Sequence, residues 1–164
     1  MAEKTPAKIL HESLVFIFDE AKASLKVDQR PVTVFSHLPE NAFSQKAMPM
    51  VVVERPKKTE EAAWGRDYER RVYTVPVLLV DAVGVRPGDE HGAAERIDIL
   101  FEKVKAVLAQ ASNANLRLPW LHVFWSLASW DEDESTPAGN NLIIKPLQLS
   151  VPMTLERGKV WNVV

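Results

Sequence analysis

The stretch Arg70-Arg71-Val72-Tyr73-Thr74-Val75-Pro76-Val77-Leu78-Leu79-Val80-Asp81-Ala82-Val83 reads as one long strand that is apolar on both faces. Val72, Leu78 and Val80 occupy one parity, and Val75, Val77 and Leu79 the other. A strand of this kind lies in the middle of a layered fold or packs against another subunit. Pro76 adds a condition, because proline cannot donate to a ladder and marks an edge or a bulge.

Upstream, Glu54 to Glu69 is rich in Lys, Arg, Glu and Asp and carries Trp64, Gly65 and Tyr68. It is expected to be a long hairpin loop or an extended arm, the kind of segment that tends to be functional. Two shorter strands precede it. Met48 to Val53 is bounded by Pro49 and Pro56, and Arg30 to Phe35 is β-branched after Pro31. The chain opens with a helix. Thr5 can cap it, and Pro6 suits its first position. Leu10, Leu14, Ile17, Phe18, Ala21 and Leu25 recur at helical spacing, while Ile9, Val15 and Phe16 widen the apolar face. A helix covered on more than one side is expected.

Downstream, Gly84 to Gly92 is a turn-rich break. A second helix from Asp89 or Ala93 to Ala111 follows, with Ile97, Leu100, Phe101, Val104, Val107, Leu108 and Ala111 as its stripe. Trp120 to Trp130 has strand composition, and Asp131 to Asn141 reads as an acidic turn. Ile143 to Leu155 alternates cleanly. Leu147, Leu149, Val151, Met153 and Leu155 point to a dry face, and Gln148, Ser150, Pro152 and Thr154 to a wet one.

The order α-β-β-β-α-β-β implies a single α+β domain over residues 1–164, with a charged arm at about 54–70. Its largely antiparallel sheet of about five strands carries two helices packed on one face. The 164 residues are 46% hydrophobic and 26% charged, an ordinary globular balance. A formal charge of −2 argues against a sequence-specific nucleic-acid partner, which normally meets a basic excess. No apolar run approaches the roughly 18 residues of a membrane span. Glu12, Asp19 and Glu20 interrupt any signal-peptide pattern. Cysteine is absent, which excludes disulfides and thiolate chemistry and fits the cytosol.

The residues offer little for catalysis or cofactors. Gly84, Gly88 and Gly92 are spaced as turn glycines, not as a phosphate loop. His11, His37, His91 and His122 are scattered, without paired spacing on a helix. Asp131, Asp133 and Ser135 resemble a calcium loop, but Thr136 and Leu142 stand where Gly and Glu are required. Carboxylate pairs such as Glu60-Glu61 and Glu132 with Glu134 fall in polar loops where nothing raises a pKa. No catalytic, cofactor-binding or metal-binding residue is expected, and the chain is not expected to be an enzyme.

The charged arm is the candidate site. Lys57, Lys58, Arg66, Arg70 and Arg71 alternate with Glu60, Glu61, Asp67 and Glu69. Such a run is by default a solvated hairpin, yet mixed signs also register a protein partner well. Trp64 and Tyr68 would be its apolar anchors. Trp120, Trp125 and Trp130 recur every five residues, so on one continuous strand they cannot all share a face. Trp125 and Trp130 therefore join the expected subunit or tube interface.

This element order resembles the tail terminator (tail-completion, minor tail) proteins of long-tailed bacteriophages. The likeness is clearest over Tyr73 to Asp81, the helix Ile97 to Gln110, the aromatic strand and the final alternating strand. It implies a structural virion protein of the tail or neck, present in the host cytoplasm during assembly. Members assemble with themselves, commonly as six subunits, into a ring that caps the tail tube, ends its polymerisation and docks the head. The implied partners are the tail tube protein, a head-tail connector or neck protein, and a sheath protein where the tail contracts. The alternative is a dimeric α+β small-molecule-binding or enzymatic domain, with a pocket around His122 and Tyr73.

Overall fold

A computed structural model describes residues 2–3, 5–38, 48–84, 88–113, 124–125, 129–132, 136–138, 142–156 and 162–163. In chain order these form β1 (Ala2–Glu3), α1 (Pro6–Glu20), a 3-10 turn (Lys22–Leu25), β2 (Thr33–Phe35), β3 (Met50–Val53), β4 (Lys57–Trp64) and β5 (Tyr68–Ala82). There follow α2 (Ala93–Asn113), β6 (Phe124–Trp125), β7 (Ser129–Glu132), β8 (Thr136–Ala138), β9 (Leu142–Glu156) and β10 (Asn162–Val163). The fold is α+β. β1 and β10 pair antiparallel with each other, and the remaining strands make one sheet.

β5 is the axis of that sheet. Along one side it pairs with β9 over its full length, from Tyr68 opposite Glu156 to Ala82 opposite Leu142. Along the other it pairs with β3 at Val77–Val80 and with β4 at Tyr68–Thr74. β9 in turn receives β6, β7 and β8 as three short pieces on its far side. The sequence pointed to one strand over Trp120–Trp130 and a turn over Asp131–Asn141. Instead, Asp131 and Glu132 lie within β7, and pairing with β9 resumes at Thr136–Ala138. Trp120 lies outside the described residues.

The three prolines of the central strands share one explanation. In an extended strand, a residue's N–H and C=O point to the same edge. The Pro76 carbonyl accepts from the Glu54 N–H (2.9 Å), so the nitrogen of Pro76 also faces the β3–β4 side. There it meets the interruption at Glu54–Pro56, where no ladder bond is needed. The same parity turns Pro146 and Pro152 of β9 away from β5. Pro146 lies between the residues paired with β8 and with β7, and Pro152 between those paired with β7 and with β6.

One pairing departs from expectation. β2 and β3 are parallel, Thr33 opposite Met50, so the sheet is mixed at that edge. The intervening chain is long enough for the crossover a parallel pair requires. β2 also begins later than the sequence suggested. Arg30 is taken up in a tight turn, exchanging backbone bonds with Val27 (2.9 and 3.1 Å) around Asp28 and Gln29 at φ 47° and 63°.

Both helices pack on one face of the sheet, as expected. The Thr5 hydroxyl accepts from the Lys8 N–H (3.2 Å), and Pro6 occupies the first turn. Ile9, Leu10, Leu14, Ile17 and Phe18 of α1 are buried with Ile97, Leu100, Phe101, Val104, Val107 and Leu108 of α2. They meet Val51, Val53, Tyr73, Val75, Val77 and Leu79, together with the predicted dry face of β9 from Leu147 to Leu155. Each fully buried aliphatic contributes about 1.5–3 kcal/mol. α1 is covered on one side only. Of the residues expected to widen its face, Ile9 is buried and Val15 packs against the core, whereas Phe16 is 53% exposed.

A second apolar cluster occupies the opposite face at the other end of the sheet: Met48, Met50, Val52, Val80, Ala82 and Leu142. One face of β5 is buried from Tyr73 to Asp81, whereas the other is buried only at Val80 and Ala82, with Val72 and Leu78 half-buried.

Candidate subunit interface

The charged segment is a solvent-exposed hairpin, with its first arm paired as a strand where the sequence pointed to a loop. Lys57–Trp64 is a strand, joined to β5 by the turn Gly65-Arg66-Asp67, and the hairpin is flanked by β9 out to Glu156. Gly65 sits at φ 76°, a backbone region that costs a side chain roughly 1 kcal/mol or more. The register shifts between Lys58 and Glu60, a bulge at Thr59 whose hydroxyl donates to the Val72 carbonyl (3.1 Å). The bulge brings Lys58 and Glu61 to the same face, where they pair at 2.6 Å. Glu61 also stands opposite Arg71 (3.7 Å), and Arg71 pairs with Glu69 (2.5 Å) and donates to the Tyr73 hydroxyl (3.2 Å). The hydrogen bond from Lys58, then its charge, holds the Glu61 carboxyl below its ordinary range.

The expected interface residues therefore divide. Lys58 and Arg71 are engaged in this network along one face of the hairpin. Arg66 is exposed at the turn, Arg70 is exposed on β5, and Tyr68 is 44% exposed. Trp64 ends β4 opposite Tyr68. Trp125 and Trp130 lie on the opposite margin of the sheet, on β6 and β7. In the backbone register Trp125 stands opposite Met153 and Trp130 opposite Leu149. Tyr73, a pocket residue in the alternative view, is a buried core residue, and His122 lies outside the described residues.

Beside β4 the sheet is notched. β2 covers β3 only as far as Val52, and beyond it a cleft of about 770 Å³ opens between the start of α1, the end of β2 and the β3–β4 break. His11 and His37, unrelated in sequence, both line it, together with Lys8, Glu54, Arg55 and Lys57. His11 donates through Nε2 to the Val53 carbonyl (2.8 Å), since a carbonyl can only accept. Lys8, Arg55 and Lys57 form no ion pair among the described residues. The described lining of the cleft thus holds three cations against the one carboxylate of Glu54.

A second polar constellation lies at the far end of β5. Asp81 and Arg96 are buried, bonded Nε to Oδ2 at 2.6 Å. The other four guanidinium hydrogens go to Asp89 (3.2 Å) and to the carbonyls of His91 (2.7 Å), Ala82 (3.0 Å) and Gly84 (3.0 Å). All five donors are used, so Arg96 ties the 82–92 loop to α2 and offers nothing to a ligand. Arg30 reaches the same Asp89 (2.9 Å). The Asp81 and Asp89 carboxylates are thus buried here, two acids the sequence reading did not single out. The charges sit far apart in sequence, and only folding brings them together.

Next to it, Asp28 accepts from the His91 N–H (3.2 Å) and contacts its Nδ1 (2.8 Å). The bond to Asp28 raises His91 above its ordinary 6.5. Burial pushes the Asp28 carboxyl up, but the His91 bonds outweigh it and leave it below 3.8. With Glu90, this pair sets one imidazole nitrogen and two carboxylates within 4.8 Å of one another, a donor set that suits a divalent cation. Both Asp28 oxygens are already engaged by His91, which is the geometry of a clamp between the 27–30 turn and the loop before α2.

No protein-family model matches the chain, and no curated protein matches it.

Proposed function

We propose that this chain is a structural virion protein that closes into a ring on the end of a phage tail tube, stopping tube growth and giving the head a docking surface. The observation that carries the proposal is the pair of open sheet margins. Among the described residues, β4 has a neighbour only on its β5 side, and β6–β8 only on their β9 side. An open edge is a liability that proteins blunt, cover or join. A heterologous contact between one margin and the other generates a ring when its rotation closes. Support also comes from the element order, which resembles that of tail terminators. Negative-stain microscopy of the purified protein at high and low concentration, with and without tail-tube protein, tests the proposal. Rings or tube caps are expected; particles that remain monomeric and ignore the tube would overturn it.

The basic cleft favours a second reading, a pocket for a small anionic molecule. Thermal shift separates the two. Stabilisation by an anionic metabolite at fixed protein concentration supports the pocket, whereas a melting temperature that climbs with protein concentration supports assembly.

A further inference from the structure

The notch beside β4 and the strand β7 on the far margin carry opposite charge. On the β2–β4 margin, Lys8, Arg55 and Lys57 are exposed around the notch, and among the described residues they have no ion-pair partner and Glu54 is the only acid lining it. On the opposite margin, β7 contributes Asp131 and Glu132, and the described strands β6, β7 and β8 contain neither Lys nor Arg. β5 and β9 lie between the two margins, so these charges cannot neutralise each other within one chain.

We infer that the acidic β7 margin of one copy docks against the basic β4 notch of the next, so that electrostatic complementarity sets the direction and register of a head-to-tail contact. This inference rests on the ring proposal and names its contact. Complementary charge steers encounter and penalises the wrong pairing, here like margin against like. The two margins are different surfaces, so the contact is heterologous and repeats around a ring. The bulge at Thr59 and the charged residues along β4 disfavour backbone pairing with a further strand. The side chains around the notch, rather than a continued ladder, therefore carry the recognition.

The test uses two charge-reversed full-length variants, Arg55→Glu/Lys57→Glu and Asp131→Lys/Glu132→Lys, followed by sedimentation velocity. The first has two acidic margins and the second two basic ones. Each alone is expected to associate at least about tenfold more weakly than wild type. An equimolar mixture is expected to assemble again, with the variants alternating. Wild-type assembly should weaken between about 50 mM and about 500 mM salt, as screened charges require. That salt series decides the matter even where a reversed β7 fails to fold. Variants that each assemble like wild type, or salt-independent wild-type assembly, would overturn the charged contact while leaving ring formation standing. A wild type that assembles under no condition would overturn both.

Discussion

Arg96 donates its Nε–H to the Asp81 carboxylate across 2.6 Å, and the two side chains are 2% and 0% exposed. The contact joins the end of the central strand to the first turn of α2, and the remaining guanidinium hydrogens hold the loop between them.

Removing that guanidinium should therefore be among the most costly single changes in the chain. Arg96→Met leaves Asp81 buried without its counter-charge, and a loss of about 3–5 kcal/mol is expected in denaturant unfolding. Arg96→Lys keeps the charge but supplies three donors where five are used, and about 1–3 kcal/mol should be lost. A loss under about 1 kcal/mol in both variants would mean that the network contributes little.

The Asp28–His91 clamp makes stability depend on pH in a defined window. His91 is raised above 6.5, so its contribution is complete below that pH and fades as pH rises through the higher folded-state value. Asp28 is lowered below 3.8, so its contribution is complete above that pH and fades as pH falls through the lower folded-state value. The stability gap between wild type and His91→Ala should be widest between pH 3.8 and 6.5 and narrow on either side. Urea titrations across pH measure it, and a gap that widens above pH 7 would contradict the clamp.

Pro76 and Val77 should respond in opposite ways. The nitrogen of Pro76 faces the β3–β4 break, so Pro76→Ala is expected to stay within about 1 kcal/mol of wild type. The parity that explains Pro76 turns the Val77 N–H toward Leu147 of β9. Val77→Pro removes that ladder bond and should cost at least about 2 kcal/mol. Equal effects of the two changes on chemical unfolding would refute the assigned parity.

Leu100 and Phe16 test the one-sided packing of the helices. Leu100→Ala opens a cavity in the helix–sheet core and should cost about 2–5 kcal/mol. Phe16→Ala, at a half-exposed position, should stay within about 0.5 kcal/mol at concentrations where the chain is monomeric.

Much of this architecture was legible where one local rule acts alone. Thr5-Pro6 marks the start of α1, the stripe from Ile97 to Leu108 defines α2, and the alternation from Leu147 to Leu155 gives the buried face of β9. Lys57 to Trp64 was not recognisable as a strand because an edge exposed on both faces has no apolar pattern. Its strand character comes from pairing with β5. The parallel β2–β3 pair was hidden for a similar reason, since partner choice is settled by tertiary packing. The Asp81–Arg96 network was missed because an isolated charge in sequence reads as surface. The only available signal was Asp81 at the end of an otherwise apolar run. The division of the candidate interface between two margins depends on strand order, which composition does not encode.

The oligomeric state of the full chain is the most direct test of the central claim. Sedimentation velocity at rising protein concentration and low salt, with negative-stain class averages of the heaviest species, should show a discrete closed ring with a central opening. A single monomeric boundary at every concentration, unchanged when tail-tube protein is added, would contradict it.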